Sequence, residues 1–335
     1  MKIFTERDIR SFIKLNKEVI HIIEDAFKQL VTNKVVMPPI MRIDVKENNG
    51  EVDVKSAYIP NKEFFALKVS SGFFHNYKLG LPSANGFMML ISTKTGEPKA
   101  FLLDNGYLTE IRTAAAGAIA AKYLAKEDVT TVGVIGTGAQ ARYQMRALKL
   151  VRDYKEIRVY GRSEPNVRKF KEEMEAALNI TVIPASSPEQ VVKGSEIVVT
   201  TTPAKSPMIK SEWLHPGLHI TAMGSDAEDK QELEGNVIAN SDRYVCDSKA
   251  QCIRLGELHH VVREGKMNKE DNVTELGEII AGKSPGRIND HEVTVCDLTG
   301  TGVQDTAIAL YSYQMLEAFE TIGMKVDNHK QLTVM

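Results

Sequence analysis

The segment VTTVGVIGTGAQARYQMRALKLV, residues 129–151, constrains the fold of this chain more than any other stretch. A strand pattern runs into the glycine turn GTGAQA, residues 136–141, and an amphipathic helical pattern follows. Gly136 permits a tight turn, Gly138 lets backbone approach a phosphate, and Ala141 lets the helix pack closely on the strand. A second strand pattern, EIRVY, completes the order. The segment predicts a dinucleotide-binding βαβ unit with phosphates at the helix N-terminus.

Strand and helix patterns alternate through the middle of the chain. Apolar runs typical of buried strands occur at 129–135, 156–160, 180–185, 195–201, 217–223, 243–247 and 292–297. The alternation predicts a parallel, doubly wound sheet, whereas residues 52–60 and 64–70 resemble antiparallel strands. We therefore predict an α/β fold in which a Rossmann domain, residues 113–302, is inserted into a mixed α/β domain of residues 1–112 plus 303–335.

Composition and charge argue against several classes of partner. Hydrophobic residues are 43% and charged residues 26% of the chain, and the net charge is −2 with both signs interspersed. No basic surface for nucleic acid is predicted. No apolar run is long enough for a membrane span, and the N-terminus lacks the apolar segment of a signal peptide. Three separated thiols, Cys246, Cys252 and Cys296, suit a reduced cytoplasmic protein without a metal site.

The choice of dinucleotide depends on the tip of the second strand, where the sequence is VYGRSEPN. An acid at this tip would bind the ribose 2′-hydroxyl of NAD. Gly161, Arg162 and Ser163 stand there instead, and arginine and serine suit the 2′-phosphate of NADP(H), which we favour. In the alternative, Arg162 is a solvated loop residue and Glu164 reaches the ribose of NAD(H).

Several ordered stretches resemble the ornithine cyclodeaminase/mu-crystallin family over nearly the whole chain. They include MPPIMRID, ALKVSSGF, TEIRTAAAGAIAAKYLA, VIGTGAQA, EWLHPGLHITAMGSD and ELGEIIAGKSPGR. GEVDVKSAYIP, AMGSDAEDKQEL, LGELHH and DLTGTGVQDTAIA look most like its cyclodeaminase-like branch associated with ectoine utilisation. The resemblance implies a homodimer whose mixed α/β domains pair strands across the two-fold axis. It also implies hydride transfer between a nicotinamide and the α-carbon of an amino or imino acid.

The resemblance assigns Arg42, Lys68 and Arg112 to positions that hold the substrate α-carboxylate. Independently of the family, cations within apolar runs are costly to bury without an anionic partner. A buried lysine crowded by arginines can also have its pKa lowered, so Lys68 is predicted to be catalytic as well. The alternatives are that Arg42 or Lys68 extends to solvent and that Arg112 pairs with Glu110.

Lys55 and Ala57 bear on the substrate. Cyclodeaminases of the family carry a glutamate on the strand that corresponds to VDVKSAYIP of this chain. Alignment on the proline of this stretch puts the position of that glutamate at Ala57. Without this carboxylate, cyclodeamination of ornithine becomes doubtful. Lys55 projects from the same face of the strand as position 57, and it favours an acidic substrate such as iminosuccinate or aspartate. In the alternative, Lys55 lies on the solvent face.

Asp226 follows a strand pattern in TAMGSDAEDKQEL. The family match at GSD implies that its carboxylate meets the substrate nitrogen and helps it gain or lose a proton. Read from the residues alone, Asp226 is also a fair N-cap, with Glu228 and Asp229 in the first turn of a helix.

The predicted cofactor contacts combine the glycine turn, the tip of the second strand and further positions matched to the family. They are Ser83, Thr113, Gly136, Thr137, Gly138, Ala139, Gln140, Gly161, Arg162, Ser163, Thr200, Thr201, Thr202, Met223 and Ser225.

The sequence favours an NAD(P)H-dependent imino acid reductase, reversible as an amino acid dehydrogenase. Two alternatives remain. One is a cyclodeaminase, a lyase that releases ammonia without net redox change. The other is a non-catalytic, NADPH-binding protein like mu-crystallin, against which the presence of both Lys68 and Asp226 argues.

Overall fold

The structure is a computed structural model and describes residues 1–319 and 322–326. The strands, in chain order, are β1 Lys2–Thr5, β2 Met41–Val45, β3 Gly50–Ala57, β4 Phe64–Phe73, β5 Ala84–Ser92, β6 Pro98–Leu103, β7 Thr131–Ile135, β8 Glu156–Tyr160, β9 Thr181–Pro184, β10 Ile197–Thr200, β11 Lys205–Ile209, β12 His219–Ala222, β13 Gln231–Leu233, β14 Arg243–Cys246, β15 Thr274–Glu275, β16 Thr294–Asp297 and β17 Met324–Lys325. The α-helices are α1 Glu6–Phe12, α2 Lys17–Thr32, α3 Tyr107–Leu124, α4 Ala139–Lys149, α5 Glu164–Leu178, α6 Pro188–Lys193, α7 Gly235–Ala239, α8 Lys249–Cys252, α9 Gly256–Arg263, α10 Leu276–Ile280 and α11 Gly302–Glu317.

The chain divides into two compact units. Unit 1 consists of Met1–Leu15, Thr32–Arg112 and the described residues from Thr301 onward, and unit 2 consists of Asn16–Val31 and Thr113–Gly300. The predicted boundaries differ from this division at α2, which belongs to unit 2. There the Glu24 carboxylate of α2 accepts hydrogen bonds from Lys122 Nζ and Tyr123 OH, each at 2.7 Å. Residues 320, 321 and 327–335 of the predicted first domain lie outside the described residues.

Unit 1 is built on a mixed sheet with the strand order β17-β1-β6-β5-β4-β3-β2. Side chains alternate between the faces of a strand, so Asp53, Lys55 and Ala57 of β3 share one face, which is buried. Ala66 and Lys68 of β4 lie directly opposite Ala57 and Lys55. Helix α11 packs on β3 and β4, and this arrangement brings lysines into the interior of the unit.

Unit 2 contains a parallel sheet in the order β15-β14-β16-β12-β10-β7-β8-β9, which confirms the predicted α/β fold with a doubly wound sheet. Strand β7 has β8 on one side and β10 on the other, so the strand order reverses there. Ligands of such sheets bind at the carboxyl ends of the strands beside this reversal. Among the described residues, no helix is both long and apolar enough to cross a membrane.

The segment after β12 corrects one prediction. A helix was predicted to start at Asp226, with Glu228 and Asp229 in its first turn, but residues 227–230 form a turn that leads into β13. Strand β13 pairs with β11 in a small parallel sheet. The N-cap interpretation of Asp226 is therefore wrong, and so is the helix-start interpretation of Glu228 and Asp229, because no helix follows them.

Candidate active site

The turn between β7 and α4 has the geometry that a dinucleotide requires. Gly136 has φ of +117°, and a Cβ at this position would lie 2.5 Å from Thr201 Oγ1. Gly138 is the N-cap of α4, and a Cβ there would meet open space, with nothing within 4 Å. Ala141 is fully buried against the sheet. An extended helix start facing open space fits a pyrophosphate, so the residues present fit the predicted cofactor.

Other parts of the turn are tied to the protein. Arg142 Nη1 donates to the carbonyls of Thr137 and Gly138 at 2.6 and 3.1 Å, which fixes the turn from behind. Ala139 and Gln140 form the first residues of α4. Gln144 Nε2 donates to the carbonyl of Thr113 at 3.0 Å and to Gln140 Oε1 at 3.1 Å.

The tip of β8 presents a cation to solvent. Gly161 packs closely against Thr137, because a Cβ on Gly161 would lie 2.7 Å from Thr137 Cγ2. Arg162 is exposed, and Ser163 is the N-cap of α5. The Glu164 carboxylate lies 3.2 Å from the guanidinium of Arg168, four residues along α5.

Several predicted cofactor contacts already use their hydrogen-bond donors within unit 2. The hydroxyls of Thr200 and Thr202 donate to the Glu232 carboxylate at 2.5 and 2.7 Å. Thr201 Oγ1 donates to the carbonyl of Ile135 at 3.3 Å, and Ser225 Oγ donates to the carbonyl of Lys230 at 2.6 Å. Any contact between these hydroxyls and a cofactor therefore has to use the oxygen lone pairs.

The remaining predicted cofactor residues lie in both units. Met223 follows β12 in unit 2, and a Cβ on Gly117 of α3 would lie 3.1 Å from its Cε. Ser83 is exposed in unit 1, just before β5, where its carbonyl accepts a hydrogen bond from Phe73 N at 2.7 Å.

A set of buried acids lies near the carboxyl ends of the unit 2 strands and was not predicted from the sequence. Its members are Glu232, Asp247, Glu257 and Asp297, each at most 1% exposed. Glu232 also accepts from the backbone N–H groups of Thr202 and Gly224, at 2.6 and 2.7 Å. Burial raises the pKa of every member, and that of Asp297 to about 7. The sequence carried a signal for Asp247 and Asp297, each an acid that ends or follows an apolar strand, as in YVCD and VTVCD.

Lys68 and Arg112 meet at a third buried residue, Asp305 of α11. Asp305 Oδ1 accepts from Arg112 Nε at 2.8 Å and from Lys68 Nζ at 3.0 Å. Oδ2 lies 2.8 Å from the same Nζ as an ion contact without hydrogen-bond alignment. Lys68 is 1% exposed, Arg112 4% and Asp305 0%. The structure thus brings together two predicted substrate-binding residues through an acid that was not predicted from the sequence.

The environment of Lys68 changes its protonation. Burial lowers the pKa of Lys68 to about 7, and the charges of Arg112 and Lys55 act in the same direction against Asp305. Burial alone would raise the pKa of Asp305, but Arg112 and Lys68 outweigh it and hold this pKa below its ordinary value. Asp104 is also buried, and burial raises its pKa to about 6. A lysine titrating near neutrality is typical of functional sites.

Lys55 is buried, 5% exposed, directly opposite Lys68. The alternative that it lies on a solvent face is therefore wrong. Ala57 is fully buried on the same face, so β3 supplies no carboxylate at this position. The acid that Lys68 and Arg112 bind reaches them from α11 instead.

Arg42 lies apart from the Asp305 contacts. Its guanidinium pairs with Asp44 at 2.9 Å, with Glu51 at 2.5 Å and with Asp53 at 3.5 Å. Burial alone would lower the pKa of Arg42, but Glu51 and Asp53 outweigh it and raise this pKa. In this structure the arginine forms ion pairs with acids of β2 and β3.

Asp226 is partly open. Its side chain is 36% exposed, and Oδ1 lies 2.7 Å from Nζ of Lys230, which is almost fully buried. Asp226 follows the carboxyl end of β12, the edge of the sheet where ligands bind. It therefore combines accessibility with a fixed cationic partner.

The chain belongs to the ornithine cyclodeaminase/mu-crystallin family, whose sequence profile matches residues 2–320. This confirms the family resemblance of the sequence. A Sinorhizobium fredii protein described as an uncharacterized cyclodeaminase is 49% identical over 318 residues, which are 95% of this chain and 96% of that protein.

Two solved structures are similar over nearly the whole chain. The Thermococcus litoralis Δ(1)-pyrroline-2-carboxylate reductase, in complex with NADH and L-proline, has a TM-score of 0.91 and 33% identity, covering 97% of this chain and 100% of that one. The iminosuccinate reductase of Paracoccus denitrificans, in complex with NAD⁺, has a TM-score of 0.87 and 28% identity, covering 98% and 99%. Further relatives are named as a dehydrogenase, an alanine dehydrogenase and pyrroline-2-carboxylate reductases. The related proteins thus include oxidoreductases of imino and amino acids.

Proposed function

We infer that this protein is an NAD(P)H-dependent imino acid reductase, reversible as an amino acid dehydrogenase. One observation carries the proposal: Lys68 and Arg112 are buried cations that converge on a carboxylate. Buried ion pairs contribute little to stability, so a pair of cations whose lysine titrates near pH 7 is better explained by substrate binding. The carboxylate of Asp305 contacts Lys68 and Arg112, two cations that are also suited to bind a substrate carboxylate.

The residues of the chain would divide the work. The nicotinamide, when bound, supplies or accepts the hydride at the substrate α-carbon. The turn at 136–141 and the start of α4 would hold its pyrophosphate. Lys68 and Arg112 would hold the α-carboxylate and so orient the α-carbon. Asp226 would meet the substrate nitrogen and move the proton that accompanies the change between iminium and ammonium.

We propose that the substrate is small and acidic, as in iminosuccinate and aspartate. Lys55 supports this, because it is buried on the same face as Lys68 and adds positive charge beside it. A second carboxylate on the substrate would find a cation there. An iminosuccinate reductase among the similar structures is consistent with the proposal.

The 49% identity to a protein described as a cyclodeaminase favours a second candidate, the ammonia-releasing lyase. Ala57 argues against it, because β3 carries no acid there for a second amino group of ornithine. The two candidates differ in redox stoichiometry, which is directly measurable.

The test is an assay of nicotinamide absorbance and ammonia with aspartate, alanine, proline and ornithine. We expect aspartate to give the highest kcat/KM, with one nicotinamide reduced per amino acid consumed. The same assay with each cofactor measures the preference, and the arginine and serine at the tip of β8, Arg162 and Ser163, favour NADP(H). Ammonia release from ornithine without a change in nicotinamide would make the protein a cyclodeaminase.

We further propose that the protein is a homodimer. Met41 and Ile43 of the edge strand β2 are 55% and 52% exposed, and Val36 beside it is 56% exposed. An apolar edge strand with unpaired backbone groups is suited to pairing with a second copy. Sedimentation at micromolar concentration checks this against the 37.2 kDa of one chain.

A further inference from the structure

The carboxylate of Asp305 is fixed before any substrate arrives. Thr301 caps α11, and its capping box with Gln304 fixes the first turn of the helix. Thr306 Oγ1 donates to the carbonyl of Ala57 at 2.8 Å and accepts from Ala66 N at 3.1 Å, which ties this turn to β3 and β4. The position of Asp305 is therefore determined by the sheet that carries Lys68.

The helix start also approaches the sheet as closely as a backbone can. A Cβ on Gly302 would lie 2.5 Å from the carbonyl carbon of Ser56 in β3. Glycine is therefore required for the approach, and the short side chain of Asp305 then reaches both cations.

The energetic role of this acid follows from burial. A buried cation without a counterion costs several kcal/mol or loses its charge. Lys68 is faced by Lys55 of β3 and Arg112 of α3, which oppose its charge, by Asp305 of α11, and by Asp104 just after β6. Asp305 is the acid in direct contact with both Lys68 and Arg112, so it opposes the loss of charge by Lys68.

We propose that Asp305 is a positioning residue of the reaction, which holds Lys68 charged and Arg112 oriented so that both are ready for a substrate carboxylate. Asp305 acts through these cations and does not exchange a proton with the substrate. The proposal rests on the proposed function for its catalytic consequence, but its electrostatic part is independent of any substrate.

The first test needs no substrate. Unfolding by urea is measured from pH 5.5 to about pH 9. The effect of Asp305→Asn on stability is determined twice, once in the parent protein and once in a protein that also carries Lys68→Met. Without Asp305, Lys68 should lose its proton at lower pH in the folded state. Because the unfolded state then binds more protons, the stability deficit of Asp305→Asn should be largest at acidic pH and shrink as pH rises through about 7. In the Lys68→Met background this dependence on pH should vanish.

The second test uses turnover. For Asp305→Asn we expect the KM of the imino acid to rise about tenfold or more at pH 6, where Lys68 of the parent is still mostly charged, with the Kd of NAD(P)H unchanged. Asp305→Glu, which keeps the charge, should recover part of the loss. Leu316→Ala removes buried packing near the far end of α11 without altering charge, so it should lower stability and leave the pH profile of kcat/KM in place.

The outcomes separate the proposals. A stability deficit of Asp305→Asn that is independent of pH, or unchanged by Lys68→Met, overturns the role of Asp305. If Asp305→Asn does not fold, recovery of folding in the Lys68→Met double variant supports the role, and failure to recover overturns it. If the urea experiment succeeds while no imino acid is turned over, the proposed function fails and the electrostatic role of Asp305 stands.

Discussion

In unit 1, Lys68 and Arg112 are held by the carboxylate of Asp305, whereas in unit 2 the carboxylates of Glu232 and Asp297 are held by N–H and O–H groups. Both regions bury ionisable groups almost completely. In unit 1 the buried cations are balanced by the opposite charge of a carboxylate. In unit 2 the buried carboxylates are stabilised by hydrogen bonds from uncharged N–H and O–H groups.

The difference bears on function. Cations held by an acid remain suited to a second anion, because a carboxylate of the substrate offers the same contacts. Acids held by backbone N–H groups cannot exchange partners without unfolding the segments that donate. We therefore expect changes in the unit 1 cluster to alter catalysis and changes in the buried acids of unit 2 to alter stability.

Asp226 is the sharpest test of this division, because it lies in unit 2 but is paired with a lysine and partly exposed. Asp226→Asn should reduce turnover about a hundredfold or more, since it removes the group that handles the proton. Its unfolding free energy should fall by about 1 to 3 kcal/mol, because the almost fully buried Lys230 loses the carboxylate of Asp226. Steady-state kinetics and urea unfolding measure the two effects.

The matched control is Asp229→Asn. Asp229 is also paired with a lysine, Lys205, but both side chains are more than half exposed. It should leave kcat within about twofold of the parent, as expected for a surface ion pair. Retained turnover in Asp226→Asn would contradict the assignment of proton transfer to this residue.

The dependence of stability on pH tests the role of Asp297, one of the unit 2 carboxylates that N–H and O–H groups hold. Its pKa is raised to about 7 by burial, so the stability that it contributes is present below pH 4 and lost as pH rises through about 7. Asp297→Asn removes this loss. Its unfolding free energy relative to the parent should therefore rise between pH 4 and pH 8, by about 1 kcal/mol or more.

An exposed acid provides the control for that experiment. Hydrogen bonds from Lys149 and Lys155 lower the pKa of Asp153 to about 2, so its contribution changes only below about pH 4. Asp153→Asn should give a flat difference over the same range. A flat difference for Asp297→Asn would mean that its carboxylate titrates at an ordinary pKa.

Thr200→Val tests a single hydrogen-bond donor to Glu232. It removes one of the donors to Glu232 but keeps the shape of a fully buried side chain, and the carboxylate retains Thr202 and Gly224. A loss of about 1 to 3 kcal/mol in unfolding free energy is expected. Thr181→Val, on the exposed side of β9, is the control. A pronounced change in turnover without loss of stability would put Glu232 among the catalytic groups.

The sequence predicted the periodic features well. The glycine turn, the parallel strands and the family were confirmed, because each depends on local patterns of residues. The helix after Asp226 was wrong, since charge alone suggested a helix where β13 pairs with β11. The assignments of site residues remain predictions, although Lys68 and Arg112 are brought together as expected.

What the sequence determined by itself was the kind of sheet, the glycine turn and the presence of cations inside apolar strands. What only the tertiary structure decided was which partner each buried charge has. Asp305 lies 237 residues from Lys68 along the chain. Asp297 lies 40 residues from Glu257, whose backbone N–H group donates a hydrogen bond to it. No local pattern encodes such distances. These pairs form because α11 packs on β4 and α9 packs near β16. The packing excludes water, so each buried charge is stabilised by the group that the fold brings next to it.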